Sequence, residues 1–158
     1  MTRMSDQFIE SAKKGKIDEL KTLLCQITDL NFPDKLFGRT ALMWAARQGQ
    51  TTTVEILLEK GATVNASDHY GGTALQAAAS FGHTATVKTL LKQGADINAQ
   101  ENQGWTALMM AAAHGHLDTV RILVEFGADR HVKEENGLTA LIMAQKYNYY
   151  DVEQFLKF

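Results

Sequence analysis

The chain contains one seventeen-residue pattern four times, always at a step of thirty-three residues. GRTALMWAARQGQTTTV begins at Gly38, GGTALQAAASFGHTATV at Gly71, GWTALMMAAAHGHLDTV at Gly104 and GLTALIMAQKYNYYDVE at Gly137. A fixed period of this length indicates units that pack against their neighbours, because only such contacts require every unit to have the same size. The period therefore predicts an elongated stack of similar units.

A single unit, residues 71–103, is predicted to form a helix, a turn, a second helix and a loop. Thr73 precedes a run of helix-forming residues, and its hydroxyl can accept hydrogen bonds from the amides of the first turn. Gly82 and Gly94 are predicted to end the two helices in the left-handed conformation. Asp96 lies in the following turn and is expected to bond local backbone amides. Helices of about eight to ten residues do not persist alone in water, so stacking must stabilise them.

Each recurring position has an expected structural role. The threonines cap helices, the leucines fill the core, the alanines allow helices to approach closely, and the glycines turn the chain. In the fourth turn Asn148 replaces glycine, since asparagine also tolerates a positive φ. The caps are Thr40, Thr73, Thr106 and Thr139; the leucines are Leu42, Leu75, Leu108 and Leu141; the alanines are Ala45, Ala78, Ala111 and Ala144; and the turns are Gly49, Gly82, Gly115 and Asn148.

The order G-x-T-A-L-x-x-A, then G-H, then L-L-x-x-G-A-D-x-N-A resembles the ankyrin repeat, most closely between Gly38 and Tyr147. The resemblance implies an all-α solenoid of antiparallel helix pairs with projecting β-hairpin loops. It implies one domain, 1–158, with full repeats at 38–70, 71–103 and 104–136. An N-terminal capping repeat would span 1–37, with Phe8 in place of the core leucine, and a C-terminal capping repeat 137–158.

One motif departs from the family pattern. The usual T-P-L-H reads TALM, TALQ, TALM and TALI in this chain, which removes the family's hydrogen bond between threonine and histidine. Gln76 is the candidate substitute for that histidine. The departure concerns a local network at the start of the first helix and leaves the predicted fold unchanged.

The charge distribution excludes some partners. The chain has 16 Lys and Arg residues against 18 Asp and Glu residues. The segment 104–136 contains three basic and five acidic residues, and in each other segment the two numbers are equal. No segment is basic, so neither a nucleic acid nor a membrane surface is an expected partner. No apolar run reaches the roughly 18 residues of a membrane span, and no secretory signal is recognisable in the first residues of this sequence. With a single cysteine, Cys25, the sequence favours a cytoplasmic location.

Catalytic, metal and cofactor sites are not expected. His83 and His116 occupy the structural G-H position, and no Cys and His spacing of a zinc site is present. Cys25 follows a leucine-rich helix and is predicted to be a partly buried, inert thiol. Met43, Met109, Met110, Met143 and Trp44 could form a soft binding stripe, but they are interpreted as packing residues of the first helices, with Trp44 in the core or at the edge of a groove.

Positions that the repeat leaves free are the candidate binding residues. They lie at the hairpin tips and just before the break after each first helix, and the family geometry would place both sets on one concave face. Aromatic residues recur there, although packing does not require exposed rings at turns. The predicted partner-binding residues are Phe37, Arg39, Arg47, His69, Tyr70, Phe81, Gln103, Trp105, His114, Leu138 and Tyr147.

These observations lead to a functional prediction with two alternatives. The first reading is a non-catalytic scaffold, without a cofactor, that binds another protein through its concave face and hairpin tips. The second is a homodimer formed through the C-terminal cap, where Tyr149, Tyr150, Phe155 and Phe158 make the end unusually aromatic. Alternatively, the chain is the ankyrin segment of a larger regulatory protein.

Overall fold

The computed structural model describes residues 2–158, which form ten helices and no strand. The odd-numbered helices are the first helices of successive pairs, and the even-numbered helices are the second. Their bounds are α1 Thr2–Lys14, α2 Ile17–Leu24, α3 Ala41–Arg47, α4 Thr51–Glu59, α5 Ala74–Ser80, α6 Thr84–Lys92, α7 Ala107–Ala113, α8 Leu117–Glu125, α9 Ala140–Lys146 and α10 Tyr150–Lys157.

The helix pairs stack side by side in two layers. In the first layer α1, α3, α5, α7 and α9 contact one another in chain order, and each packs on its own second helix. In the second layer α4, α6, α8 and α10 contact one another in the same order. This arrangement confirms the predicted all-helical solenoid of repeated helix pairs.

The loops between pairs are hairpin turns without a strand ladder. Within one loop, the amide of Asp68 donates to the carbonyl of Gly72 at 2.9 Å. Between loops, the amide of His69 donates to the carbonyl of Phe37, also at 2.9 Å. Equivalent bonds join the later loops, so each hairpin is fixed to the preceding one and the loops form a continuous row.

The helix starts and turns have the chemistry predicted from the repeat. The hydroxyl of Thr40 accepts the amide of Met43 at the start of α3, and the threonines of α5, α7 and α9 do the same. The turn after the first helix has positive φ, with Gly49 at 67° and Asn148 at 62°. A β-carbon on Gly49 would lie only 2.5 Å from Nδ1 of His83, so this position also needs glycine for space.

The two histidines of the G-H position join neighbouring units. Nε2 of His83 lies 3.0 Å from the carbonyl of Arg47, and Nε2 of His116 lies 3.0 Å from that of Ser80. Each bond connects the start of a second helix to the end of the preceding unit's first helix. The structural interpretation of His83 and His116 is therefore confirmed.

The core follows the predicted pattern except at its last leucine. Phe8, Leu42, Leu75 and Leu108 are buried, and the four recurring alanines have no exposed surface. Leu141 is only half-buried, because it lies on α9 and no further helix pair covers that helix in residues 2–158. Burial at this position depends on the following unit, which supplies the other side of the contact.

Two other packing predictions have different outcomes. Met43, Met109 and Met143 are buried as predicted, and Met110 is half-buried at the edge of the first-helix layer. The prediction for Cys25 is wrong, since this residue is exposed. It follows α2 at the helix end, where its thiol reaches only the carbonyl of Lys21 on its own helix, at 3.5 Å. Among residues 2–158, no helix has the length and apolar character needed to cross a membrane.

Candidate functional site

The hairpin loops and the first-helix layer border a pocket of about 220 Å³, which lies between the units 38–70 and 71–103. We call this pocket and the adjoining ends of the first helices the groove. Its walls come from two consecutive loops and from α3, α5 and α7. The pocket is lined by Arg39, Met43, Arg47, Asp68, Tyr70, Gly72, Thr73, Gln76, Ala77, Ser80, Glu101 and Met110.

Arg39 is held in one position at the edge of the groove. Its Nε lies 3.1 Å from Oδ2 of Asp68, whose side chain is almost completely buried. Its guanidinium lies over the rings of Phe37, at 4.8 Å, and Trp44, at 5.1 Å. The ion pair neutralises Arg39, and the two rings fix its guanidinium plane.

An acidic side chain organises each of three successive hairpins from within. The carboxylate of Asp68 accepts the amides of Tyr70 and Gly72, both at 2.9 Å. Glu101 accepts the amides two and four residues later, and Glu134 does the same in the next loop. For Glu134, burial raises the pKa, but the hydrogen bonds from Leu138 and Asn136 lower it by more, so the net shift is downward. These bonds hold the loop backbone, and hence the tip residues, in a fixed geometry.

Gln76 connects α5 to the following loop. Its Oε1 accepts the amide of Thr73 at 2.9 Å, completing a capping box. Its Nε2 donates to the carbonyls of Ala99, at 2.8 Å, and Trp105, at 2.9 Å. Gln76 therefore supplies a local network where the family motif has histidine, as the sequence suggested.

Arg47 is the second arginine that lines the pocket. Its guanidinium lies 4.3 Å from the ring centre of Phe81 in the next unit, and the residue is half-buried. Among residues 2–158, no carboxylate lies within ion-pairing distance of Arg47. Burial, and secondly the charge of Arg39, lower the pKa of Arg47 from its usual value. The guanidinium nevertheless remains charged at neutral pH, because arginine is not deprotonated in proteins.

Three of the five predicted aromatic residues are exposed. Tyr70 has 58% of its surface exposed, Phe81 45% and Tyr147 46%. Phe81 and Tyr147 directly follow α5 and α9, and His114 occupies the same position after α7. His114 is exposed, and its Nδ1 lies 2.8 Å from the carbonyl of Met110. The ends of the first helices thus form a row of rings beside the groove.

The other predicted residues are less accessible or lie at loop tips. Phe37, Trp105 and Leu138 are half-buried, so the expectation of exposed rings does not hold for Phe37 and Trp105. The ring of Phe37 packs edge-on against Trp44, and Trp105 packs against the core. His69 and Gln103 are exposed at the tips of consecutive loops.

Three loop acids were not among the predicted site residues. Asp68, Glu101 and Glu134 recur at the thirty-three-residue step, and this recurrence was the signal that could have identified them. In the part of the chain that the structure describes, no three His, Cys, Asp or Glu side chains are arranged to hold a metal ion.

A stack of short helix pairs with a continuous row of hairpins defines a class of repeat solenoid, in which one extended face is available for contacts. The family model described as "Ankyrin repeats (3 copies)" matches residues 8–101 and 93–157, and the chain belongs to the ankyrin repeat family. Ankyrin repeats are generally protein–protein interaction modules, and the family is typically non-catalytic.

Curated relatives match parts of the chain. The chain is 36% identical to the putative ankyrin repeat protein YahD of Escherichia coli (strain K12) over 62 residues, and this matched segment covers 39% of this chain and 30% of that protein. It is 42% identical to the 26S proteasome non-ATPase regulatory subunit 10 of Rattus norvegicus over 57 residues, and this segment covers 36% of this chain and 25% of that protein. The match to the G patch domain and ankyrin repeat-containing protein 1 homolog of Drosophila melanogaster has 40% identity over 62 residues, 39% of this chain and 18% of that protein. The chain thus spans less than a third of the length of each of these relatives.

Proposed function

We propose that the protein is a non-catalytic, cytoplasmic scaffold that binds another protein through its concave face, which contains the groove, and through the hairpin tips. The observation that carries the proposal is the row of exposed rings beside an unpaired arginine on a rigid face. Aromatic residues and arginine are the residue types that contribute most to binding at protein interfaces. Here they occur at positions that the repeat does not need for packing.

The rigidity of the groove supports the same proposal. Asp68 fixes the backbone of the loop that carries Tyr70. In the following hairpin loop, the amide of Asn102 donates to the carbonyl of Tyr70 at 2.9 Å. Phe81 is held at a helix end, against the guanidinium of Arg47. A surface already ordered before binding loses little conformational entropy when a partner binds.

The proposal is tested by affinity capture from cells that express the protein naturally. We expect the wild-type protein to retain a defined set of proteins that the double variant Tyr70→Ala and Phe81→Ala does not retain. The matched control is Phe126→Ala, which removes a ring with 40% exposure after α8 in the second layer, away from the groove. Circular dichroism would establish that all three proteins are folded. Equal capture by the wild-type protein and the double variant would contradict the proposal.

Self-association through the C-terminal cap is the second candidate. Phe158 is 96% exposed and Tyr150 is 70% exposed, while the half-buried Leu141 lies on the uncovered side of α9. Apolar surface on the outer side of a repeat is typical of a contact, because capping repeats usually present polar side chains. We expect sedimentation velocity to show a dimer that Tyr150→Ala and Phe158→Ala convert to a monomer. A wild-type monomer at the highest soluble concentration would exclude this candidate.

A further inference from the structure

The charges of the groove are unequally compensated. Arg39 pairs with Asp68, and Asp68 also accepts two loop amides. Oε1 of Glu101 accepts the amides of Gln103 and Trp105. The guanidinium of Arg47 has an aromatic neighbour but makes neither an ion pair nor a hydrogen bond within residues 2–158. Of the two arginines that line the pocket, Arg47 is therefore the one whose charge no group among residues 2–158 pairs with.

The fold does not need a cation at this position. The equivalent residues of the following units are Ser80, Ala113 and Lys146, and these units have the same helices and the same turn. The contact that Arg47 makes for the fold uses its backbone carbonyl, which accepts from His83 and is available from any residue. The side chain is thus free to serve a purpose other than packing.

The surroundings of Arg47 fit a carboxylate. A half-buried guanidinium has five donors in a planar fork, which match the two oxygens of a carboxylate. The ring of Phe81 lies 4.3 Å from the centre of the guanidinium and shields it from water on that side. An ion pair is stronger where water is partly excluded, as at the border of this pocket.

We propose that the groove binds an extended segment of the partner protein through an aspartate or glutamate whose carboxylate pairs with Arg47. An apolar side chain next to that acid packs on two exposed rings, Tyr70, which lines the pocket, and Phe81, which lies against the guanidinium of Arg47. This inference rests on the proposed function and adds the chemistry of the partner segment. It also places the acid at the unit 38–70, since the equivalent positions in the units 71–103 and 104–136 carry no charge.

The test uses selection from a phage-displayed library of random peptides, with the whole chain as bait. We expect peptides selected by the wild-type protein to be enriched in Asp or Glu beside an aromatic or aliphatic residue. With Arg47→Gln as bait, the acidic enrichment should disappear while the apolar enrichment remains. The control is Lys88→Gln, an equal charge change at an exposed site on α6 in the second layer, and it should select the same acidic peptides as the wild type.

A double-mutant cycle then measures the pair itself. For one selected peptide, changing its acid to the amide should weaken binding to the wild-type protein by about tenfold, the scale of a hydrogen-bonded charge pair. The same change should have less than about a twofold effect on Arg47→Gln, because the pair is already absent. Equal effects on both proteins would overturn the inference.

The outcomes separate the inference from the proposed function. Selected peptides that lack acids but lose binding with Tyr70→Ala and Phe81→Ala would overturn the role of Arg47 and support a binding groove. Tighter binding of a phosphoserine peptide than of its aspartate counterpart would overturn the choice of a carboxylate. Selection of no peptide, or of peptides indifferent to all groove variants, would count against both.

Discussion

Replacing Gln76 with methionine removes the side chain that joins the start of α5 to the following loop. Methionine has a similar length and shape, and the chain already has buried methionines at the equivalent positions Met43 and Met109. The substitution therefore changes hydrogen bonding with little change in packing volume. It separates the contribution of the network from that of the core.

The expected cost follows from the groups that lose their partners. The amide of Thr73 and the carbonyl of Ala99 have no partner other than Gln76 within residues 2–158, whereas the carbonyl of Trp105 keeps the amide of Glu101 at 3.1 Å. An unsatisfied buried group costs about 1–3 kcal/mol. Burying the more apolar methionine returns about 1 kcal/mol. With about 1.5 kcal/mol for each of the two groups, the free energy of unfolding should fall by about 2 kcal/mol.

The measurement is urea unfolding followed by circular dichroism. The midpoint of Gln76→Met should shift to lower urea while the slope stays unchanged, because the surface exposed on unfolding is nearly the same. Gln103→Met is the matched control, since Gln103 is exposed in the next loop and its change should stay within about 0.5 kcal/mol of the wild type. An unchanged midpoint for Gln76→Met, or an equal shift for the control, would refute the reasoning.

Three further predictions concern single residues. Trp105→Ala should lower the free energy of unfolding by about 2 kcal/mol, because the indole of Trp105 packs against the core. Tyr70→Ala should lower it by less than about 0.5 kcal/mol, because the ring of Tyr70 is exposed. Equal effects of the two variants in urea unfolding would contradict this. Asn148→Gly should stabilise by about 0.5 kcal/mol and Asn148→Ala should destabilise by about 1 kcal/mol, because φ is 62°; the reverse order of midpoints would refute the strain argument. Burial raises the pKa of Asp34, but the hydrogen bonds from the N–H groups of its loop and of Trp44 have a larger effect, and the net shift is downward. Ionised Asp34 therefore stabilises the fold at neutral pH. This contribution is lost as the pH falls through the folded-state pKa. Asp34→Asn should therefore be less stable than the wild type at neutral pH, with a difference that shrinks below about pH 4; a gap independent of pH would contradict this.

Features set by local chemistry could be read from the sequence. A threonine before a helix, a glycine after it and an asparagine in the place of that glycine each have one strong conformational preference, independent of distant residues. The period then gave the order in which these local units stack. Asn148 shows the strength of this reasoning, because its positive φ was predicted from the glycines that occupy the same position in the other units.

Features that depend on neighbouring units could not be read from a single repeat. Trp105 occupies a variable position, which suggests a solvent-exposed ring, but the loop brings its indole against the core. Leu141 occupies a core position, but α9 has no helix pair on its outer side in residues 2–158. Cys25 follows a leucine-rich helix, but its side chain points along the outside of that helix. In each case exposure depends on contacts between units, which periodicity alone does not specify.

The same period that builds the core also arranges the variable residues in rows. The last residues of the first helices α3, α5, α7 and α9 are Arg47, Ser80, Ala113 and Lys146, so the charges lie at the two ends of this row and uncharged small residues lie between them. Because loops and helix ends are rigidly spaced, a partner segment that follows the row meets these side chains in a fixed order. Recognition on such a surface depends on the spacing of features along the partner, and a single conserved motif is not required. If a partner acid pairs with Arg47, as proposed, this alignment also determines which partner residues lie opposite Ser80 and Ala113, the uncharged middle of the row.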